Sequence, residues 1–169
     1  NAGKLYINTK TVDTKQHIAF YNNGSFVGRL FMRSNSSVGL GNVAVANLNA
    51  TESTAVGGNG IQATGQYSTA IGSRAKATNW TSVAVGLHDA GYGATGSGST
   101  AIAYNSKASG TDSIAIGRST QATGQGASAF GYVAKATANY ATALGFNAQA
   151  SGFNNIAIGV DSSATETHS

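Results

Sequence analysis

The sequence contains no cysteine and no proline, and only 9% of its 169 residues are charged. The lack of cysteine excludes disulfide bonds and thiolate metal sites. Apolar runs are short, and none reaches the roughly 18 residues that a membrane helix needs. The 10 Lys and Arg residues are scattered along the chain, so they do not form the basic patch expected of a nucleic-acid-binding domain.

Large apolar side chains are also scarce. Hydrophobic residues make up 41% of the chain, but alanine dominates them, with valine and isoleucine next. Burial of a Val, Leu or Ile side chain contributes about 1.5–3 kcal/mol, whereas alanine contributes about one methyl group. We therefore expect the stability to come from many equivalent layers, or from association with other chains.

An Ala-apolar-Gly motif recurs along most of the chain. The position numbers of its alanines increase, by subtraction, in steps of 15, 14, 17, 14, 14, 14 and 14. The step of 17 reflects an insertion within residues 87–98, and a degenerate copy of the motif lies at 44–46. The alanines of the motif are Ala55, Ala70, Ala84, Ala101, Ala115, Ala129, Ala143 and Ala157.

A second motif follows the first along the chain and mostly reads Lys/Gln-Ala-Thr/Ser, as at 76–78 and 135–137. Both motifs have the alternating character of short strands, and the Gly and Asn residues between them favour turns. Two strands and two turns in each repeat make one coil of a solenoid. Coils of this kind stack by parallel strand pairing, at about 4.8 Å per coil. The sequence therefore predicts an all-β, parallel β-roll.

The two strands differ in how their faces are expected to lie. In the second strand, Ala75 and Ala77 alternate with Lys76 and Thr78, which predicts an Ala face inside and a solvated face outside. In the first strand one face is small throughout and the other is apolar, and the sequence leaves open which of them fills the roll. Either arrangement predicts self-association through the first strand, because one apolar face stays uncovered. The resulting core or trimer column is Val56, Ile71, Val85, Ile102, Ile116, Phe130, Leu144 and Ile158.

Segments such as SVAVG at 82–86 and DSIAIG at 112–117 resemble the head repeat of YadA-like trimeric autotransporter adhesins. The resemblance covers residues 38–169, with Ala103, Phe130 and Leu144 as departures from the usual motif. It implies a homotrimer of left-handed parallel β-rolls, displayed on the bacterial outer membrane by a stalk and an anchor that these residues do not include.

Residues 1–37 do not carry the repeat, although they contain alternating stretches such as HIAFYNN and SFVGRLFMR. We expect them to form irregular strands that cap the first coil, because an open solenoid end exposes unpaired backbone. A small N-terminal binding element is the alternative. The predicted domains are thus a cap at 1–37 and a roll at 38–169.

No catalytic, cofactor or metal site is predicted, and the pair His88-Asp89 is expected to belong to an ordinary polar loop. The insertion and the turns carry aromatic residues instead. Loops that interrupt a regular scaffold often bind partners, and exposed Tyr and Trp are favoured contact residues; covering the coil edges is the alternative role. The candidate ligand-binding residues are Trp80, His88, Tyr92, Tyr104, Tyr132 and Tyr140.

The resemblance implies a non-catalytic, virulence-associated adhesin head that attaches bacteria to a host extracellular-matrix protein or cell-surface receptor. It implies no nucleic-acid partner and no direct membrane contact by these residues. Two other functions stay open at this point: a structural solenoid of a phage or fibre, and an ice-binding solenoid. An acyltransferase-type solenoid is disfavoured, since it would need a hexapeptide period.

Overall fold

The computed structural model describes residues 15–22, 25–33, 38–41, 51–58, 60–87, 89 and 91–166. These residues form strands and turns, with no helix among them. None of this part of the chain could therefore cross a membrane as a helix. The strands belong to two sheets, sheet A with 11 strands and sheet B with 8.

Sheet A has one strand per coil, preceded by three strands from the N-terminal region. Its strands are β1 (Lys15–Asn22), β2 (Ser25–Arg33), β3 (Val38–Gly41), β4 (Thr54–Val56), β6 (Thr69–Ile71), β8 (Val83–Val85), β10 (Thr100–Ile102), β12 (Ile114–Ile116), β14 (Ser128–Phe130), β16 (Thr142–Leu144) and β18 (Ile156–Ile158). Sheet B contains β5 (Gln62–Ala63), β7 (Lys76–Ala77), β9 (Gly93–Ala94), β11 (Lys107–Ala108), β13 (Gln121–Ala122), β15 (Lys135–Ala136), β17 (Gln149–Ala150) and β19 (Ser163–Ala164).

From β4 onward the chain alternates between the two sheets and builds eight coils, which we number 1 to 8 from β4–β5 to β18–β19. Strands of successive coils pair in parallel, with equivalent residues in register: Ala101 pairs with Ala84 and with Ala115. This confirms the predicted all-β parallel solenoid, with ~14-residue coils. Its left-handedness and its trimeric state stay predictions.

The interior of the roll consists of alanine columns. Ala70 in sheet A and Ala77 in sheet B are both 0% exposed, as are their equivalents in most other coils. The column that precedes each sheet A strand is mostly serine, and the hydroxyls of Ser82, Ser99 and Ser113 donate back to a turn carbonyl, as from Ser113 Oγ to Gly110 O at 2.7 Å. The small face of the first strand therefore fills the roll, and the branched face points outward.

Glycine predominates in a column where the backbones of neighbouring coils approach closely. Gly131 has φ +128°, and a Cβ atom there would lie 2.8 Å from the carbonyl carbon of Gly145 in the next coil. Ala103 occupies the same column with φ 92°. The coils are thus packed backbone against backbone at this column, which is why a side chain is tolerated there only with a shifted φ.

The N-terminal strands extend sheet A beyond the first coil. Strands β1 and β2 form an antiparallel hairpin, β2 pairs antiparallel with β3, and β3 pairs in parallel with β4. The strand that precedes coil 1 in the sheet is therefore at Val38–Gly41, while the degenerate motif at 44–46 lies outside the described residues. The division into a cap at 1–37 and a roll at 38–169 stays a prediction.

Candidate functional site

Each coil turns from sheet A into sheet B at what we call the first corner. In coils 4 to 8 two residues recur at this corner, one projecting outward and one with a positive φ, as in the pair Tyr132 and Val133, where Val133 has φ 58°. The corners are tied to each other by backbone hydrogen bonds, such as Val133 N to Arg118 O at 3.0 Å and Asn147 N to Tyr132 O at 2.9 Å. Outward side chains of successive corners therefore lie directly above one another.

Four of these outward side chains form a continuous stack, which we call the corner stack: Tyr104, Arg118, Tyr132 and Phe146. The Arg118 guanidinium carbon lies 5.7 Å from the centroid of each tyrosine ring. The rings of Tyr132 and Phe146 stack at 5.3 Å with an interplanar angle of 18°. Cation–π and stacked aromatic contacts of this kind are favourable. Because the ring faces cover one another along the roll, the rims of the rings and the guanidinium edge face solvent.

Below the corner stack, Asp89 fastens the insertion to its neighbours. Its carboxylate accepts hydrogen bonds from Asn105 Nδ2 at 2.8 Å and from the Tyr104 hydroxyl at 3.2 Å, and it pairs with Arg74 at 3.2 Å. The Asn105 hydrogen bond is the main cause that lowers the pKa of Asp89 below its usual 3.8, with smaller contributions from Tyr104 and Arg74 against a partial desolvation. Asp89 therefore stays ionised and holds the longer coil in register.

The second corner leads from sheet B back to sheet A and carries a different set of aromatics. Trp80 and Tyr140 are both about half exposed there. Tyr140 makes an edge-to-face contact with Phe153, at 5.7 Å between ring centroids, whereas Trp80 lies four coils earlier. At about 4.8 Å per coil, Trp80 and Tyr140 are separated by about 19 Å along the roll.

The structure thus divides the predicted ligand-binding residues between two corners. Tyr104 and Tyr132 come together through Arg118, and Tyr92 lies in the insertion on the same corner; Trp80 and Tyr140 lie on the other. His88 lies outside the described residues. Sequence reasoning missed Arg118 as a site residue, although it holds the same position in the repeat as Tyr104.

The outer face of sheet A carries the branched column, which we call the apolar column: Val56, Ile71, Val85, Ile102, Ile116, Phe130, Leu144 and Ile158. Its side chains are partly exposed in the middle coils, and the exposed fraction rises to 65% at Ile158 in the last coil. In register it runs unbroken through all eight coils, over about 34 Å at about 4.8 Å per coil. An apolar stripe of this length is characteristic of an interaction surface.

The outer face of sheet B is polar. One of its columns, which we call the lysine column, carries Lys or Gln in six coils: Gln62, Lys76, Lys107, Gln121, Lys135 and Gln149. Gly93 interrupts it after the insertion and Ser163 ends it. The residues that the structure describes contain no group of three or more side chains suited to hold a metal ion.

The sequence model of the YadA head domain repeat (2 copies) matches residues 63–88, 94–120 and 122–148, which reach from the first coil into the seventh. The chain contains a YadA-like head domain. No curated protein sequence matches this chain. The matched stretches include most of the alanine columns and most of the apolar column, so the residues that define the family motif are largely those that pack the roll.

The family match defines the general role of the chain. YadA-like heads are the adhesin-type, generally non-catalytic parts of trimeric autotransporters. The departures from the motif fit the packing of the YadA-like head: Phe130 and Leu144 stand where the other coils carry Val or Ile, on the open outer face, where the shape of the side chain is not restricted by the interior. Ala103 is different, because it replaces a glycine at a position with positive φ.

Proposed function

We propose that the chain is the head of a trimeric surface adhesin in which three rolls pack through the apolar columns of sheet A. The observation that carries this proposal is the unbroken apolar column on a YadA-like head. Because the interior residues are small, one roll buries little apolar area by itself. Burial of the uncovered column between rolls would therefore supply a large part of the hydrophobic stabilisation of the protein. A closed cyclic assembly covers the same face on every copy without leaving free ends.

The neighbouring outward column of sheet A supports close packing between rolls. It contains Thr54, Thr69, Val83, Thr100, Ile114, Ser128, Thr142 and Ile156. These side chains are short or β-branched, so another chain can approach the sheet, and none of them is charged. Sheet B, on the opposite side of each roll, then faces outward from the trimer with its lysines and hydroxyl groups.

The trimer is tested by a pair of charge substitutions in one coil. Ile116→Lys places three ammonium groups at the proposed axis and is expected to abolish trimer formation, as measured by sedimentation equilibrium. Gln121→Lys adds the same charge to the outer face of sheet B, in a column where lysine already occurs, and is expected to leave the trimer intact. A stable, folded monomer of the unmodified chain, or an Ile116→Lys trimer, contradicts the proposal.

Adhesion follows from display at the bacterial surface, where three identical heads meet the host together. Weak contacts gain avidity when several of them form at once. We expect the purified trimer, immobilised on beads, to bind host cells or one of collagen, fibronectin and laminin. The monomeric Ile116→Lys protein, if folded, should bind far more weakly. Absence of binding to all of these targets by an intact trimer contradicts the adhesin role.

The aromatic residues of the two corners are proposed as contact residues for the host partner. They are rigid, partly exposed and repeated along the roll, and aromatic anchors of this kind often dominate binding energy. Replacement of Trp80, Tyr92 and Tyr140 by alanine tests the proposal in the bead assay. Unchanged adhesion to every host target would show that these residues merely cover the coil edges.

A further inference from the structure

Three cations occur in three successive coils, one in the corner stack and two in the lysine column. Lys107 and Lys135 belong to the lysine column in coils 4 and 6, and Arg118 lies at the first corner of coil 5. Arg118 contacts only tyrosine rings. Within the part of the chain that the structure describes, the ion pair joins Arg74 to Asp89 and none involves these three residues. The three positive charges are therefore available to a partner.

Acidic residues are few in this part of the molecule, and Asp89, whose carboxylate accepts a hydrogen bond from the Tyr104 hydroxyl below the site, is paired with Arg74. Between residues 91 and 160 the sequence contains one, Asp112, and it lies at the second corner, on the opposite edge of the roll. The surface formed by the first corner and the adjoining lysine column is thus positive through coils 4 to 6. Its natural complement is an anionic ligand.

The arrangement of the charges is linear and regular. Lys107 pairs in register with Gln121, and Gln121 with Lys135, so the lysines occur on alternate coils, about 10 Å apart. Arg118 supplies the charge of the coil between them, from the corner that precedes Gln121. One cation per coil, placed alternately on the sheet and on the corner, suits a straight ligand with regularly repeated anionic groups.

The surroundings of these cations favour a sugar chain over other polyanions. Gln121 and a column of hydroxyl side chains that includes Thr123 lie on the same sheet and can exchange hydrogen bonds with sugar hydroxyls. Single-stranded nucleic acid would need free ring faces for its bases, but the rings of Tyr132 and Phe146 already stack on each other. An acidic peptide that binds by strand addition would need an open sheet edge. This surface is instead the outer face of sheet B, whose strands here are already paired with strands of the neighbouring coils.

We propose that the corner stack and the lysine column form a binding site for a linear acidic glycan lying along the roll, with its carboxylate or sulfate groups on Lys107, Arg118 and Lys135. The site deepens the adhesin role and rests on it, because the trimer would display three such surfaces. Sheet B faces outward in that trimer, so the site stays accessible. The exposed guanidinium edge of Arg118 and the rims of the flanking rings complete its polar floor.

The proposal is tested with immobilised chondroitin sulfate and the intact trimer. The triple variant Lys107→Gln, Arg118→Gln, Lys135→Gln is expected to lose about tenfold in affinity, since it removes all three charge contacts with the glycan; tenfold corresponds to about 1.4 kcal/mol. Glutamine already occurs in the lysine column, so the substitutions suit the fold. Lys76→Gln, in the same column but two coils away from the site, is the matched control and should bind like the unmodified protein.

Further arms of the experiment separate the possible outcomes. Arg118→Lys should retain most of the binding, because it keeps the charge. Equal affinity of the triple variant and the Lys76→Gln control overturns the proposal, and so does equally effective competition by poly-glutamate or double-stranded DNA. An intact trimer that binds host cells but not the glycan also overturns it and leaves the adhesin role standing, whereas loss of the trimer in the unmodified chain refutes that role itself.

Discussion

The close approach of neighbouring coils makes a sharp prediction about two glycines in one column. Gly131 and Gly159 have similar backbone angles, with φ +128° and +118°. A Cβ atom on Gly131 would meet the carbonyl group of Gly145 in the next coil, whereas a Cβ atom on Gly159 would meet no described atom within 4 Å. Alanine substitution at the two positions therefore differs in one physical respect, the contact between coils.

The magnitude follows from two contributions. Alanine at a positive φ costs about 1–3 kcal/mol in either position, of which about 0.4–1 kcal/mol is offset because alanine restricts the unfolded chain. Gly131→Ala must in addition push two coils apart, and overpacking of this kind costs about 1–3 kcal/mol. We expect Gly131→Ala to be less stable than Gly159→Ala by about 2 kcal/mol, the middle of that overpacking range. In a chain of this size that difference corresponds to about 4–8 °C in Tm.

Thermal unfolding followed by circular dichroism at one fixed protein concentration measures this difference, because an oligomer's Tm depends on concentration. Oligomeric state is checked for each variant by sedimentation. Equal loss of stability in Gly131→Ala and Gly159→Ala would refute the argument, since backbone strain alone would then account for both. A Gly131→Ala protein as stable as the unmodified chain would show that the coils are not in close contact at this column.

Three smaller predictions concern single residues. Val133→Asn should raise the free energy of unfolding by about 1 kcal/mol, because a β-branched residue is strained at φ 58° whereas asparagine tolerates this region. Calorimetry measures the gain, and an unchanged free energy of unfolding would contradict the prediction. Ala103→Gly should also stabilise, by up to about 1 kcal/mol, since its φ of 92° is unfavourable for alanine, and a lower Tm would contradict this. Asp89→Asn should loosen the insertion at neutral pH, as seen in faster amide exchange of residues 91–93. The folded pKa of Asp89 lies below its usual 3.8, so its stabilising effect is present above pH 3.8 and is lost as the pH falls through the lowered pKa. The exchange rates of the variant and the unmodified protein should therefore converge below that pKa. A constant difference at all pH values would contradict this.

The solenoid could be predicted from the sequence because the narrow interior of the roll restricts which residues can occupy it. Its interior accepts little besides alanine and serine, so Ala70 and Ala77 recur in every coil as a fixed spacing that can be read directly. The orientation of the first strand could not be read in the same way. Branched residues such as Ile71 usually fill cores, and the sequence does not reveal that two sheets this close leave no room for them. The exposure of Ile71, at 40%, shows that its column lies outside.

The candidate site was only partly predictable. Residue type alone predicts Tyr104 and Tyr132 as contact residues, but it does not distinguish Arg118 from the other scattered charges; only its position in the period places it between the two tyrosines. Trp80 and Tyr140 hold other positions within the repeat and therefore lie on the second corner. Residue type alone therefore grouped side chains that the fold separates, and position within the repeat would have grouped them correctly.

The constant length of the repeat has a consequence for how such a gene can change its length. Slippage or unequal recombination that removes or adds one whole unit restores every alanine column and every turn, and shifts the tip by only about 4.8 Å. A change of any other size moves strands out of phase unless a corner absorbs it, as the insertion does here with Asp89 as its fastening. The length of the roll can thus change in small, equal steps while the chemistry of each face is preserved.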